Sequence, residues 1–303
     1  MSKEEPQKLV TALVGVNDRD QYKTLAKWDW ISYFNGETGS TQKNLEEPEE
    51  DSVSGGIEAG PVESPNFSSA VQQILVLTGA EGIEIDEAIL LSIADSYLKG
   101  ADRDRNEGAT TRLRLQGSMG VGFNRAAVAF DPDMIERFLE RYELNRAILI
   151  LSIADNEDHW GDDGQPVDAH PLLVDFVEGN GWSPDTPGFG RGGGRPEEGT
   201  RGEGPGVTWN CAVDADVANN QRDCGETWRG GSYAPATAPP VMHFDTTAGE
   251  VEWDVTEDVL NGVTAWLIKK RELGRGGNVR YYSLEGALEE HNLDLAPTLI
   301  LER

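Results

Sequence analysis

Trp253-Asp254-Val255-Thr256, Trp266-Leu267-Ile268-Lys269, Tyr281-Tyr282-Ser283-Leu284-Glu285 and Pro297-Thr298-Leu299-Ile300-Leu301 fill the last fifty or so residues of this chain. Each is a run of strand length with aromatic or β-branched residues, and Gly-rich or charged breaks separate them. Such runs read as the closing strands of an antiparallel β-sandwich. The same grammar extends upstream. Ala88–Ile93 is apolar, Thr111–Gln116 alternates strictly, and Gly117–Gly122 supplies a turn before Arg125–Phe130. Arg146–Ile153 is a continuous apolar run, as a central strand requires, and Val167–Phe176 offers another strand or a strand–helix mixture. Pro132–Tyr142 differs, with Met134, Phe138 and Tyr142 at helical spacing behind a proline in the first turn. One short helix is therefore expected in an otherwise all-β domain.

That domain begins near residue 85. Residues 1–84 read as an N-terminal extended arm or docking region. Leu9–Val14 has strand character, and an aromatic cluster follows in Trp28, Trp30, Tyr33 and Phe34. Residues 45–65 form an acidic loop, including Glu46-Glu47-Pro48-Glu49-Glu50-Asp51, too self-repelling to build a core. Ala70–Leu77 returns to strand-like or short helical character.

Inside the domain, residues 178–240 are irregular, and Gly188–Gly206 is too glycine-rich to form a core element. A loop of this length is usually functional or interface-forming. It holds the two cysteines of the chain, Cys211 and Cys224. Two thiols are too few for a thiolate zinc site. They read as a disulfide in preference to two free thiols, which would place the protein outside reducing cytoplasm.

Composition narrows the function classes. The 303 residues include 54 acidic and 26 basic side chains, a formal net charge of −28. A field of that sign repels phosphate backbones, so nucleic acid is excluded as a partner. No apolar segment approaches the roughly 20 residues of a spanning helix, so membrane insertion is not expected. Met1–Pro6 has neither an apolar core nor a cleavage site, and reads as no signal peptide.

Ala94-Asp95-Ser96-Tyr97-Leu98, then Asn106-Glu107-Gly108, resembles the opening strand and Asn-X-Gly turn of DNRLRE domains. That family includes the family 96 carbohydrate-binding modules. Leu113-Arg114-Leu115 followed by Asn124–Asp131 is similar to the family's next hairpin, which ends in Phe-Asp. Ala147–Leu151, Val207-Thr208-Trp209-Asn210 and the closing runs follow in the family's order, so the likeness spans about residues 85–303. It implies a jelly-roll-like antiparallel β-sandwich. It also implies a contact function, since some members bind alginate or related acidic polysaccharides and similar domains occur in phage structural proteins.

Catalytic signatures are absent from the sequence: it holds no Gly-X-Ser-X-Gly elbow, His-Glu-X-X-His or phosphate loop. Gly117–Gly122 lies between two strands of a hairpin, not at the strand-to-helix turn a dinucleotide loop needs. The four histidines, His159, His170, His243 and His291, are scattered. The reading is therefore non-enzymatic, with a polysaccharide lyase or hydrolase as the residual option.

Two binding chemistries remain. Asp155, Glu157, Asp158, Asp162 and Asp163 concentrate hard oxygen ligands in one short loop, and calcium is the cofactor such a loop would take. Asp102, Asp104 and Asn106 form a weaker set. Solvated acids are the alternative in both places. For a sugar, Trp160, Trp182 and Trp228 stand in loop-like surroundings where a ring could stack. Lys269, Arg271 and Arg280 belong to the basic concentration that an acidic glycan would need, or simply to a solvated hairpin.

Two functions follow. One is a structural or adhesion component of an extracellular assembly such as a phage virion, whose partners are neighbouring subunits and whose release by lysis needs no export signal. The other is a soluble module for an acidic polysaccharide such as alginate.

Overall fold

The computed structural model describes residues 87–118, 122–157, 159–183, 199–271 and 276–303, all within one unit, Glu84–Arg303. The arm, its aromatic cluster, the acidic run 45–65, Asp158 and most of Gly188–Gly206 lie outside the described residues.

Among the described residues, eleven strands build the domain. In chain order they are β1 (Glu87–Leu91), β2 (Ala94–Lys99), β3 (Arg112–Ser118), β4 (Gly122–Ala129) and β5 (Arg146–Glu157). Then come β6 (Gln165–Pro171), β7 (Val241–His243), β8 (Glu250–Asp254), β9 (Ala265–Lys270), β10 (Asn278–Tyr282) and β11 (Thr298–Glu302). They hydrogen-bond in the order β1-β11-β5-β10-β3-β4-β9-β6-β7, with β2 on β4 and β8 on β5. Every one of these pairings is antiparallel. The fold is all-β.

β5 is the spine, and its sequence explains why. Ala147 to Ser152 are buried without alternation, because both edges of this stretch are paired and both faces covered. Arg146–Ile150 pair with β11 and Ile148–Ser152 with β8. Beyond Ile153 the strand passes to β10, with a register shift between Arg280 and Tyr281. One strand changing partners along its length, with an irregularity at the change, curls the sheet. β8 shows the contrasting half-buried pattern: Val251 and Trp253 point inward, Glu250, Glu252 and Asp254 outward.

Among the described residues three α-helices are present rather than one. α1 (Pro132–Arg141) starts at Asp131, whose carboxylate accepts from the Asp133 and Met134 N–H groups, and it buries Met134, Ile135 and Phe138. α2 (Thr256–Leu260) and α3 (Leu284–Glu289) overturn part of the strand reading. The run Tyr281–Glu285 is strand only to Tyr282, because the Ser283 hydroxyl caps α3 by accepting from Gly286 N–H at 3.0 Å. Likewise Trp253–Thr256 leaves the sheet after Asp254.

Antiparallel partners share a face, so the registers place Leu98, Ala127 and Leu267 on one side of β2, β4 and β9. Over that side lies the long irregular segment. Phe176, Val207, Trp209 and Trp228 pack on Leu98, Ala127 and Leu267 as a second layer. The layer is held by side chains in place of a ladder. Asn106 is fully buried and uses all four of its side-chain hydrogen-bonding positions. Its amide donates to the carbonyls of Glu178 (2.6 Å) and Val207 (2.7 Å). Its carbonyl accepts from Gly181 N–H (2.7 Å) and Gly108 N–H (3.2 Å). Trp228 Nε1 donates to Thr208 O at 2.8 Å, and Arg125 to Gly230 O at 2.6 Å.

A disulfide joins Cys211 to Cys224 within this layer. Replacing both cysteines by alanine is expected to lower the unfolding free energy by about 3 kcal/mol, the closure entropy of a loop of about 15 residues. Denaturant melts measure it. A loss under about 1 kcal/mol would mean that the loop's other contacts already hold it closed.

Candidate ligand-contact surface

Beside the covered apolar side chains, charged groups of β4, β9 and β6 share the same face. By register, Lys269 lies opposite Asp168, and His170 opposite Leu267, on the covered face. Tyr233 is brought over them by its bridge to Leu172 and by the bond from Leu173 N–H to Ser232 O at 2.9 Å.

The resulting group is cationic and aromatic. The Arg125 guanidinium stands 4.8 Å from the Trp209 ring centroid and 5.6 Å from that of Tyr233. Lys269 Nζ lies 5.4 Å from the Tyr233 ring, and the His170 ring 4.8 Å from it. Arg271 closes the edge with a two-pronged contact to Asp168, at 2.6 and 3.0 Å, while its side chain stays half exposed. Stacking on a ring face holds a cation without neutralising it. Burial lowers the Lys269 ammonium pKa first, and then the neighbouring Arg125 and Arg271 charges act the same way against the pull of Asp168. Burial also lowers His170, whose Nδ1 meets Ala234 O at 2.9 Å. As neutral imidazole it donates that bond. The surface thus sets two cations over a half-buried tyrosine with Arg271 beside them, an arrangement that an anion would relieve.

Of the residues singled out from sequence, only Lys269 and Arg271 lie in this group. Trp160 and Trp228 are not stacking platforms. Trp160 is 1 % exposed, under Lys270 (4.6 Å to its ring) and beside His243 (5.2 Å), and Trp228 is buried in the covering layer. Trp182 remains partly open, next to Thr200, to whose carbonyl its N–H donates at 2.8 Å. Arg280 is buried, with its guanidinium on Asp155 (2.5 Å) and Glu157 (3.0 Å).

That pairing also corrects the calcium-loop reading. β5 runs through Glu157, so Asp155 and Glu157 are strand residues whose carboxylates are engaged by Arg280, while Asp162 and Asp163 are exposed in the following turn. In the weaker set, Asn106 is the clamp described above, Asp104 accepts from Asn210 Nδ2 at 2.7 Å, and Asp102 lies 3.8 Å from Arg201.

A different acidic group does converge. Asp95, Glu178 and Glu285 each offer a carboxylate oxygen, and these oxygens lie within 4.8 Å of one another. Sequence reading missed both this group and Arg125, Tyr233, His170 and Asp168, because contacts between distant elements, not chain proximity, bring them together. Compared with known proteins, the chain matches no family model, and no curated protein matches it in sequence.

Proposed function

We propose that this chain is a non-catalytic adhesion component of an extracellular or virion assembly, and that it contacts an acidic polysaccharide of the alginate type. The carrying observation is the placing of Arg125 and Lys269 over Tyr233, with Arg271 beside Lys269, on a chain whose formal net charge is −28. Uronate sugars present a carboxylate for the cations and a ring face for the tyrosine. The resemblance of residues 85–303 to DNRLRE domains supports the same reading, since some of those bind alginate.

Electrophoresis through gels with and without alginate tests it. The protein should be retarded by alginate and not by a neutral glucan, and the shift should weaken with salt. Lys269→Glu reverses the central charge and is expected to weaken binding at least tenfold, about 1.4 kcal/mol. Equal mobility in both gels would sink the polysaccharide contact.

One observation favours protein neighbours as well. Leu173, Val174, Val177 and Val213 are exposed, at 64, 46, 40 and 41 %, and the bond from Val177 N–H to Ala212 O sets the two stretches side by side. Exposed apolar groupings of this kind mark protein contacts. Mass spectrometry of purified particles is the test of the assembly role.

A further inference from the structure

The three converging carboxylates come from three separate elements. Asp95 is the second residue of β2, Glu178 follows Phe176 into the covering layer, and Glu285 sits in the first turn of α3. The fold itself forces them together. Leu284 N–H, at the helix start, donates to Asp95 Oδ2 at 3.0 Å, and Ser92 Oγ donates to the same oxygen at 2.8 Å. Asp95 N–H in turn donates to Glu178 Oε1 at 2.7 Å.

These bonds leave oxygens over. Asp95 is 0 % exposed, yet its Oδ1 has no hydrogen-bond partner, and neither has the buried Oε2 of Glu285. A buried polar atom without a partner is costly and calls for an unseen occupant. Burial drives all three acids upward, Asp95 to about 6, Glu285 to about 8 and Glu178 well above its ordinary value; the Asp95 charge adds to the rise at Glu178 and Glu285, while the Ser92 and Leu284 bonds pull Asp95 the other way.

The donor set favours calcium. Carboxylate oxygens are hard ligands, and calcium takes six to eight oxygens in a flexible shell, whereas magnesium demands a near-ideal octahedron and keeps several of its waters. Glu178 and Glu285 are only partly buried, which leaves a side from which water can complete six to eight ligands.

We propose that Asp95, Glu178 and Glu285 bind one calcium ion that fastens β2, the start of the covering layer and α3 to one another. This site is distinct from the Asp155–Asp163 stretch and does not depend on the polysaccharide reading.

The test uses the full chain stripped of metal with a chelator. Calorimetric titration with calcium chloride, in excess magnesium to occupy the acidic surface, should give one ion per chain. At about a hundredfold excess over Kd, calcium should raise the melting temperature by about 5 °C or more. Glu285→Gln removes one of the crowded charges, so it should fold at least as well as the parent and still lose at least tenfold in calcium affinity. Asp95→Asn is the second variant, and the same loss is expected. The proposal is overturned if the parent neither binds calcium nor gains stability from it, or if Glu285→Gln binds it unchanged. It also fails if acidification from about pH 8 to 5 stabilises the protein while calcium does nothing, for then shared protons hold the three carboxyls.

Discussion

Asn106→Ala is expected to lower the unfolding free energy by about 4 kcal/mol. The substitution deletes the four hydrogen bonds to Glu178 O, Val207 O, Gly181 N–H and Gly108 N–H, and it leaves four main-chain groups unmatched in a buried place. Each such group costs about 1–3 kcal/mol, reduced where water enters the cavity. No larger side chain can replace the amide. A Cβ on Gly179 or Gly206 would fall 2.6 or 2.9 Å from the Asn106 amide, and one on Gly108 only 2.2 Å from Glu178 O. Glycine is needed here because three stretches of backbone converge on one side chain. Urea melts give the loss, and hydrogen exchange locates it: amides of residues 176–181 should exchange faster. A loss below about 1 kcal/mol would show that the clamp is redundant.

Trp160→Ala should also cost about 4 kcal/mol, the size typical of deleting a buried tryptophan. The ring carries several neighbours at once. It lies over the Lys270 ammonium, which also bonds Gly277 O at 2.9 Å and Gly276 O. Its Nε1 donates to Asn156 Oδ1 at 2.7 Å, and a Cβ on Gly277, where φ is +84°, would come within 2.6 Å of the ring. His243 stands against it as neutral imidazole. Burial, and then the Lys270 charge, holds its pKa down at about 4, against a bond to Val241 O, and its Nε2 accepts from the Tyr281 hydroxyl at 2.7 Å. Removing the ring therefore takes a cation–π contact from Lys270 and opens a cavity. A surface platform would behave oppositely, with unchanged stability and lost glycan binding. Denaturation followed by far-ultraviolet circular dichroism, alongside the alginate gels, separates the two.

The strands were legible where periodicity is local. β8 alternates, β5 is uniformly apolar from Ala147 through Leu151, and the β3–β4 hairpin pairs Gly117 with Phe123 across its turn. α3 was not legible, since six residues behind a serine cap hold too little of a helical period to outweigh two preceding tyrosines. Trp228 misled for a related reason. In an irregular segment no repeat tells an inward side chain from an outward one, and a Gly-rich context suggests exposure where the chain is packed on a sheet. Lys269 and Arg271 stood out as near neighbours in sequence. Arg125 and Tyr233 did not, because only the β4–β9 register and the Leu172–Tyr233 bridge bring them there.

The outer strands carry one last implication. Among the described residues, β1, β2, β7 and β8 each pair with a single strand. β7 is three residues long, and β8 bears the outward row Glu250, Glu252 and Asp254. Short or acid-lined rims make poor templates for a visiting main chain. Whatever neighbours this molecule meets, recognition would pass through its side-chain relief, and a partner that zips on as an added ribbon should find little purchase.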